Sequence, residues 1–144
     1  MKAEEMWRCS GLQGKYDTWR FGTDAEALTG LVLEGKKTAT CSPLVLFELN
    51  GESLPQPGEY SILLDSKSEA HCITRTTKVY TVPFSKVTAE QAAREGEGDL
   101  SLDYWRKVHR DFFSQLLKRF GLAFDEDLEV VFEEFTKVYP HKTV

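Results

Sequence analysis

The chain has 144 residues, 41% of them hydrophobic and 28% charged, and a net charge of −5. That is one domain's worth of chain, able to bury a core without metal or disulfide staples. The acidic balance excludes broad binding of long nucleic acid, which draws on an excess of Lys and Arg, but it leaves room for a local pocket that takes one nucleotide or a short strand.

No apolar run approaches membrane-spanning length, and the acidic start Met1-Lys2-Ala3-Glu4-Glu5 carries no signal core. The expectation is a cytoplasmic protein, bacterial in style, with no membrane partner; oligomeric state, monomer or dimer, is left open. Cys9, Cys41 and Cys72 are odd in number and widely spaced, which makes neither a disulfide framework nor a zinc pattern. No metal and no cofactor is expected. Cys41 adjoins a lysine pair that can lower a thiol pKa, although a small buried strand residue is its plainer reading.

Residues 1–18 read as a lead-in, loose or briefly helical, and 19–144 as the domain. After Trp19-Arg20-Phe21-Gly22, Thr23 or Asp24 can cap a helix with Glu26 in its first turn. Ala27, Leu28, Leu31 and Val32 keep helical spacing, and Gly35 is placed to end it in a left-handed conformation. Residues 38–49 are apolar and partly β-branched, but Pro43 interrupts them, so a short strand and then a helical turn are expected. Pro55 and Pro57-Gly58 mark a loop. Residues 60–64 and 70–82 read as strands joined by the turn Asp65-Ser66-Lys67-Ser68, a hairpin. Pro83 stops the sheet. Thr88 and Gln91 form a capping box for a helix to Arg94. Ser101 can cap a longer helix to about Phe120, with Leu102, Trp105, Val108, Phe112 and Leu116 as its core positions, and Gly121 ends it. Residues 128–139 form the closing strand. The order predicts an α+β domain whose mixed or antiparallel sheet curls into a small barrel with flanking helices.

Gly35-Lys36-Lys37-Thr38-Ala39-Thr40 places two ammonium groups and two hydroxyls directly after a helix. Gly30 to Lys36 matches the first seven positions of a phosphate-binding loop, but Lys37 stands where Ser or Thr is needed, and Leu31-Val32-Leu33 is apolar where a glycine-rich cradle is required. In a regular strand Lys37 and Thr40 point to opposite faces, so the chain must bend for them to cooperate. A desolvated lysine can act as a base toward a hydroxyl, and a charged one can hold an oxyanion or phosphate. The plainer alternative is a lysine pair complementing a helix dipole before a strand. In Glu95-Gly96-Glu97-Gly98-Asp99, carboxylates at a helix end can reach Lys37, or simply be solvated. Tyr104, Trp105 and Arg106 offer stacking and phosphate contacts, although Trp105 has core spacing. His109 shows no partner in the sequence. Arg75, among β-branched residues, either snorkels or lines a pocket.

A helix ending at Gly35, the Gly-x-Lys-x-x-Thr pattern of Lys37 and Thr40, a β-hairpin, and a helix running into Glu95-Gly96 together resemble the ASCH domain, a small β-barrel family related in fold to the PUA domains of RNA-modifying proteins. The stretch from Glu95 through His109 resembles one small, single-domain bacterial subgroup, and residues 98–120 are long beside the shortest members. The resemblance implies a cleft for RNA, a nucleoside or a nucleotide. One member group hydrolyses acetylated cytidine at the exocyclic nitrogen, ribonuclease activity is reported in others, and others are proposed as RNA-binding modules. Carried over by motif, the catalytic residues are Lys37, Thr40 and Glu95 (or Glu97), with Lys36, Arg75, Tyr104 and Arg106 as substrate contacts. The expectation is a hydrolase of acetylcytidine or RNA; the alternatives are a non-catalytic RNA-binding module and a small-ligand sensor.

Overall fold

The computed structural model describes residues 1–22, 24–98 and 100–140. Two sequence expectations lie outside them: capping by Thr23 and any role for Asp99. Five strands form one sheet: β1 (Asp17–Arg20), β2 (Ala39–Pro43), β3 (Tyr60–Leu64), β4 (Ala70–Pro83) and β5 (Glu129–Tyr139). Their order is β1-β3-β4-β5-β2, with β1 parallel to β3 and the other neighbours antiparallel. The sheet is mixed and curls into a half-barrel with flanking helices, an α+β architecture of PUA-like type.

The hairpin β3–β4 forms as its alternation predicts, and Asp65 builds its turn by accepting from the backbone N–H groups of Lys67 and Glu69. β4 does not keep one phase throughout. A register shift between Thr76 and Lys78 breaks it, so Thr74 and Thr76 are buried while Lys78 is exposed. β1, for which the sequence shows no alternation, is a four-residue edge strand with every residue exposed. A half-buried strand leaves a period-two signal and an exposed edge leaves none.

Five α-helices flank the sheet among the described residues. In α1 (Ala3–Ser10), Met6 packs with Ile62, Ala70 and Ile73. α2 (Ala25–Leu33) sets Ala25 and Val32 on Leu63, Cys72 and Phe135, on the other face. Asp24 is its N-cap residue by position, but its side chain makes no capping bond. Gly35 follows with φ +78°, the left-handed turn expected of it. A short helix, α3 (Leu44–Leu49), follows Pro43. α4 (Ala89–Arg94) starts on the predicted capping box of Thr88 and Gln91, and α5 (Leu102–Lys118) starts with Ser101 accepting from the Tyr104 N–H.

The buried face of α5 differs from the expected one. Trp105, His109, Phe113 and Leu117 point inward, whereas Phe112 is 41% exposed. Both sets have helical spacing, because the apolar arc of α5 is wider than the stripe that meets the sheet. The stripe that meets Phe84, Phe132 and Cys41 becomes core. The neighbouring stripe of Val108, Phe112 and Leu116 walls a cavity instead.

Candidate functional site

The site begins with the backbone between α2 and β2. The Lys36 and Lys37 N–H groups both donate to the Leu31 carbonyl, which ends α2, and the Thr38 N–H donates to the Arg94 carbonyl at 2.7 Å. Thr38 thereby ties the start of β2 to the end of α4. Lys37 precedes the first strand residue, so strand alternation does not govern it, and both Lys37 and Thr40 line one cavity.

Gly96 makes the approach of the two loops possible. Its φ is +70°, and a Cβ there would lie 2.3 Å from the Lys36 carbonyl oxygen and 2.8 Å from the Lys37 nitrogen. Only glycine lets the 95–97 turn lie this close to the lysine backbone. Glu95 and Glu97 flank it, and both reach Lys37.

Lys37 is 2% exposed, yet each of its three donors has an acceptor. Its Nζ donates to Glu95 Oε1 at 3.2 Å, to the Glu95 carbonyl at 3.2 Å and to Glu97 Oε2 at 2.9 Å. The Phe21 ring lies 5.6 Å away and completes its apolar wall. Glu95, 3% exposed, is the hub. Its Oε2 accepts from the Trp105 indole N–H and lies 2.9 Å from His109 Nε2. The other ring nitrogen of His109 is 2.9 Å from the Trp105 carbonyl, and the imidazole stacks on the indole at 4.3 Å. One turn of α5 therefore supplies both partners of Glu95 Oε2.

The charges follow from these contacts. Burial pushes the Glu95 carboxyl upward, but the Lys37 charge and the bonds from His109 and Trp105 outweigh it, so it sits below the usual glutamate range. Burial pushes the His109 imidazole downward, but the Glu95 bond and charge outweigh it, so it holds its proton above the usual histidine range. Cys41 is a free, buried thiol. Burial, and then the Glu95 charge, raise it well above the ordinary value against the pull of Lys37.

The cavity beside this cluster measures about 420 Å³. Four consecutive β2 residues, Thr40 to Pro43, line it, which is open only to an edge strand, and β2 is one. A second lobe of about 370 Å³ shares Trp19, Thr40, Ser42, Phe47 and Glu52 with the first and spreads over the sheet face.

The structure brings Lys37, Thr40, Glu95 and Glu97 together; both carboxylates that the sequence left open contact Lys37. The other candidates do not line either lobe. Lys36 is exposed and pairs with Glu34. Arg75 is exposed on β4. The Tyr104 ring lies over Gly98, and Arg106 donates to the Ser85 carbonyl at 3.4 Å. His109, which has no partner in the sequence, is buried and paired with Glu95. The available signal was its i, i+4 spacing from Trp105 on the inward stripe. Among the described residues no group of His, Cys, Asp and Glu is placed to hold a metal ion.

A half-barrel sheet with a buried lysine–carboxylate cluster beside a cavity at its edge strand defines this as a PUA-like domain. The ASCH domain family model matches residues 17–139, and the chain belongs to that family. It is similar to the crystal structure of an ASCH domain from Lactobacillus crispatus JV V101, at 30% identity and TM-score 0.89, covering 94% of this chain and 93% of that one. A protein from Enterococcus faecalis V583 is 33% identical, with TM-score 0.84 and coverage of 98% and 96%. An ASCH protein of Zymomonas mobilis shares the fold at 9% identity and TM-score 0.51, covering 88% of this chain and 73% of that one. No curated protein matches this chain by sequence.

Proposed function

We propose that this protein is an amidohydrolase that removes the acetyl group from cytidine acetylated on its exocyclic nitrogen. One observation carries the reading: Lys37, held between Glu95 and Glu97, faces the same cavity as Thr40. A desolvated ammonium beside a hydroxyl suits an oxyanion, and a neighbouring carboxylate suits a proton in transit.

The two carboxylates divide the work. Glu95 is committed to Lys37, Trp105 and His109 and is buried, so it positions the lysine. Glu97 has a half-buried side chain and makes one contact with Lys37. The substrate's acyl oxygen takes over the Lys37 N–H now given to Glu97, and the released carboxylate serves as base. Water adds to the acyl carbon as Glu97 takes its proton. Lys37 and the Thr40 hydroxyl hold the oxyanion. Collapse breaks the carbon–nitrogen bond, and the leaving amine takes the proton back from Glu97. The products are cytidine and acetic acid.

The assay offers acetylcytidine and a short RNA in parallel to the parent and to Lys37→Ala and Thr40→Val, with folding checked by circular dichroism. Acetate release by the parent is expected, falling on the order of 10²–10³-fold in Lys37→Ala. Turnover that survives Lys37→Ala sinks the mechanism. RNA cleavage, or RNA binding with neither substrate turned over, assigns the cavity to a ribonuclease or a binding module instead.

A further inference from the structure

The second lobe differs in chemistry from the first. It lies on the sheet face that carries Thr40 and Ser42 of β2, Glu133 of β5, Thr74 and Thr76 of β4 and Ser61 of β3. Thr40 and Glu133 are direct partners in the β2–β5 register, so the catalytic candidate and this carboxylate stand side by side. Among the described residues neither lobe has an arginine in its lining, and Lys37 and His109, both in the first lobe, are already paired with carboxylates. Asp17, Glu52 and Glu59 stand around the second lobe with Glu133.

Glu133 is held for use. Its Oε2 accepts from the Thr76 hydroxyl at 2.6 Å, while Oε1 accepts no hydrogen bond among the described residues. Burial, with the Glu59 charge adding to it and the Thr76 bond opposing, raises the carboxyl above its usual range. A surface that strains to keep one negative charge will not welcome a second. A sugar ring suits it: a carboxylate with a free oxygen takes a ribose hydroxyl, and threonine and serine hydroxyls both donate and accept.

We propose that this lobe is a subsite for an uncharged polyhydroxylated ring, the sugar of a nucleoside, with Glu133 as its specificity-determining residue, and that it rejects phosphate. The inference rests on the nucleoside reading of the Lys37 cavity and extends it. The base and its acyl group occupy the Lys37 lobe, the sugar crosses Thr40 into the Glu133 lobe, and a phosphorylated sugar meets carboxylates with no cation to offset them. The substrate is thereby a free nucleoside, with nucleotides and RNA excluded by charge.

Calorimetric titration with cytosine, cytidine and cytidine 5′-monophosphate separates the terms. Cytidine is expected to bind about tenfold or more tighter than either of the others, the size of one hydrogen bond to a charged group. Glu133→Ala should bring cytidine down to the level of cytosine and leave cytosine unchanged. Glu133→Gln, which keeps the shape, should narrow the gap between cytidine and its monophosphate. Equal binding of cytosine and cytidine, a monophosphate bound as tightly as the nucleoside, an equal loss of all three ligands in Glu133→Ala, or no binding of any of them overturns the subsite. A cytidine preference without hydrolysis of acetylcytidine upholds the subsite and overturns the hydrolase; hydrolysis without a sugar preference does the reverse.

Discussion

Glu95 is buried, and its carboxylate is paired from both sides: Lys37 on one, Trp105 and His109 on the other. Removing one member of such a buried set leaves a charge uncompensated, which is the costly case. The pH dependence follows from the two shifts. Glu95 is lowered, so its contribution to stability is present above the unfolded value of 4.5 and is lost as pH falls through the folded value. His109 is raised, so its contribution is present below 6.5 and is lost as pH rises through the folded value. The pair stabilises most between 4.5 and 6.5. His109→Gln should cost about 1.5–3 kcal/mol in that window, the worth of a hydrogen bond to a charged group, and should flatten the alkaline limb. Urea midpoints measured across pH check this, and a variant that tracks the parent at every pH refutes it.

At the scale of elements, the meeting of the α2–β2 loop with the end of α4 decides whether the site exists. Gly96→Ala tests it. The substitution puts a Cβ against the Lys36 carbonyl at a positive φ, so it should cost about 1–3 kcal/mol in backbone strain alone. It should also push Glu95 and Glu97 from Lys37, lowering turnover even where the fold survives. A variant with parental thermal midpoint and parental activity would show that the close approach is dispensable. Much at this scale was legible from local signals. The capping box at Thr88, the Ser101 cap, the Gly35 terminus and the strand broken at Pro43 are consequences of side chains acting on their own backbone. The inward face of α5 was not legible. Its periodicity marks a wide apolar arc, and only the neighbouring sheet decides which part of that arc is core and which is cavity wall. The bulge at Thr76 was hidden for a related reason, since alternation reports an unbroken ladder and an extra residue resets it.

For the whole molecule, charge and cavity agree. Net charge is −5, and most of the charged side chains that line the two lobes are carboxylates. The protein should bind short single-stranded RNA only weakly, with little change in affinity between about 50 and 200 mM salt, because few phosphates can be neutralised. Fluorescence anisotropy checks this, and saturable submicromolar binding that falls steeply with salt would contradict it. Among the described residues no helix is long and apolar enough to cross a membrane.

The sequence by itself determined the α+β class, the hairpin, the capped starts of α4 and α5, the Gly35 terminus and the family, though not the edge strand β1, because caps, turns and alternation are local and need no partner. It also brought Lys37, Thr40 and the two glutamates into view as candidates by motif. What only the tertiary structure decided is which of them meet. Lys37 lies 58 residues from Glu95, and the bond between them depends on a glycine packed against a backbone that no local pattern reveals. The same holds for His109, which reads as a lone histidine on a helix until the fold sets it beside Glu95, and for Glu133, a strand glutamate that becomes part of a cleft only when β5 pairs with β2. Charges act through space, and their positions in space are fixed by packing.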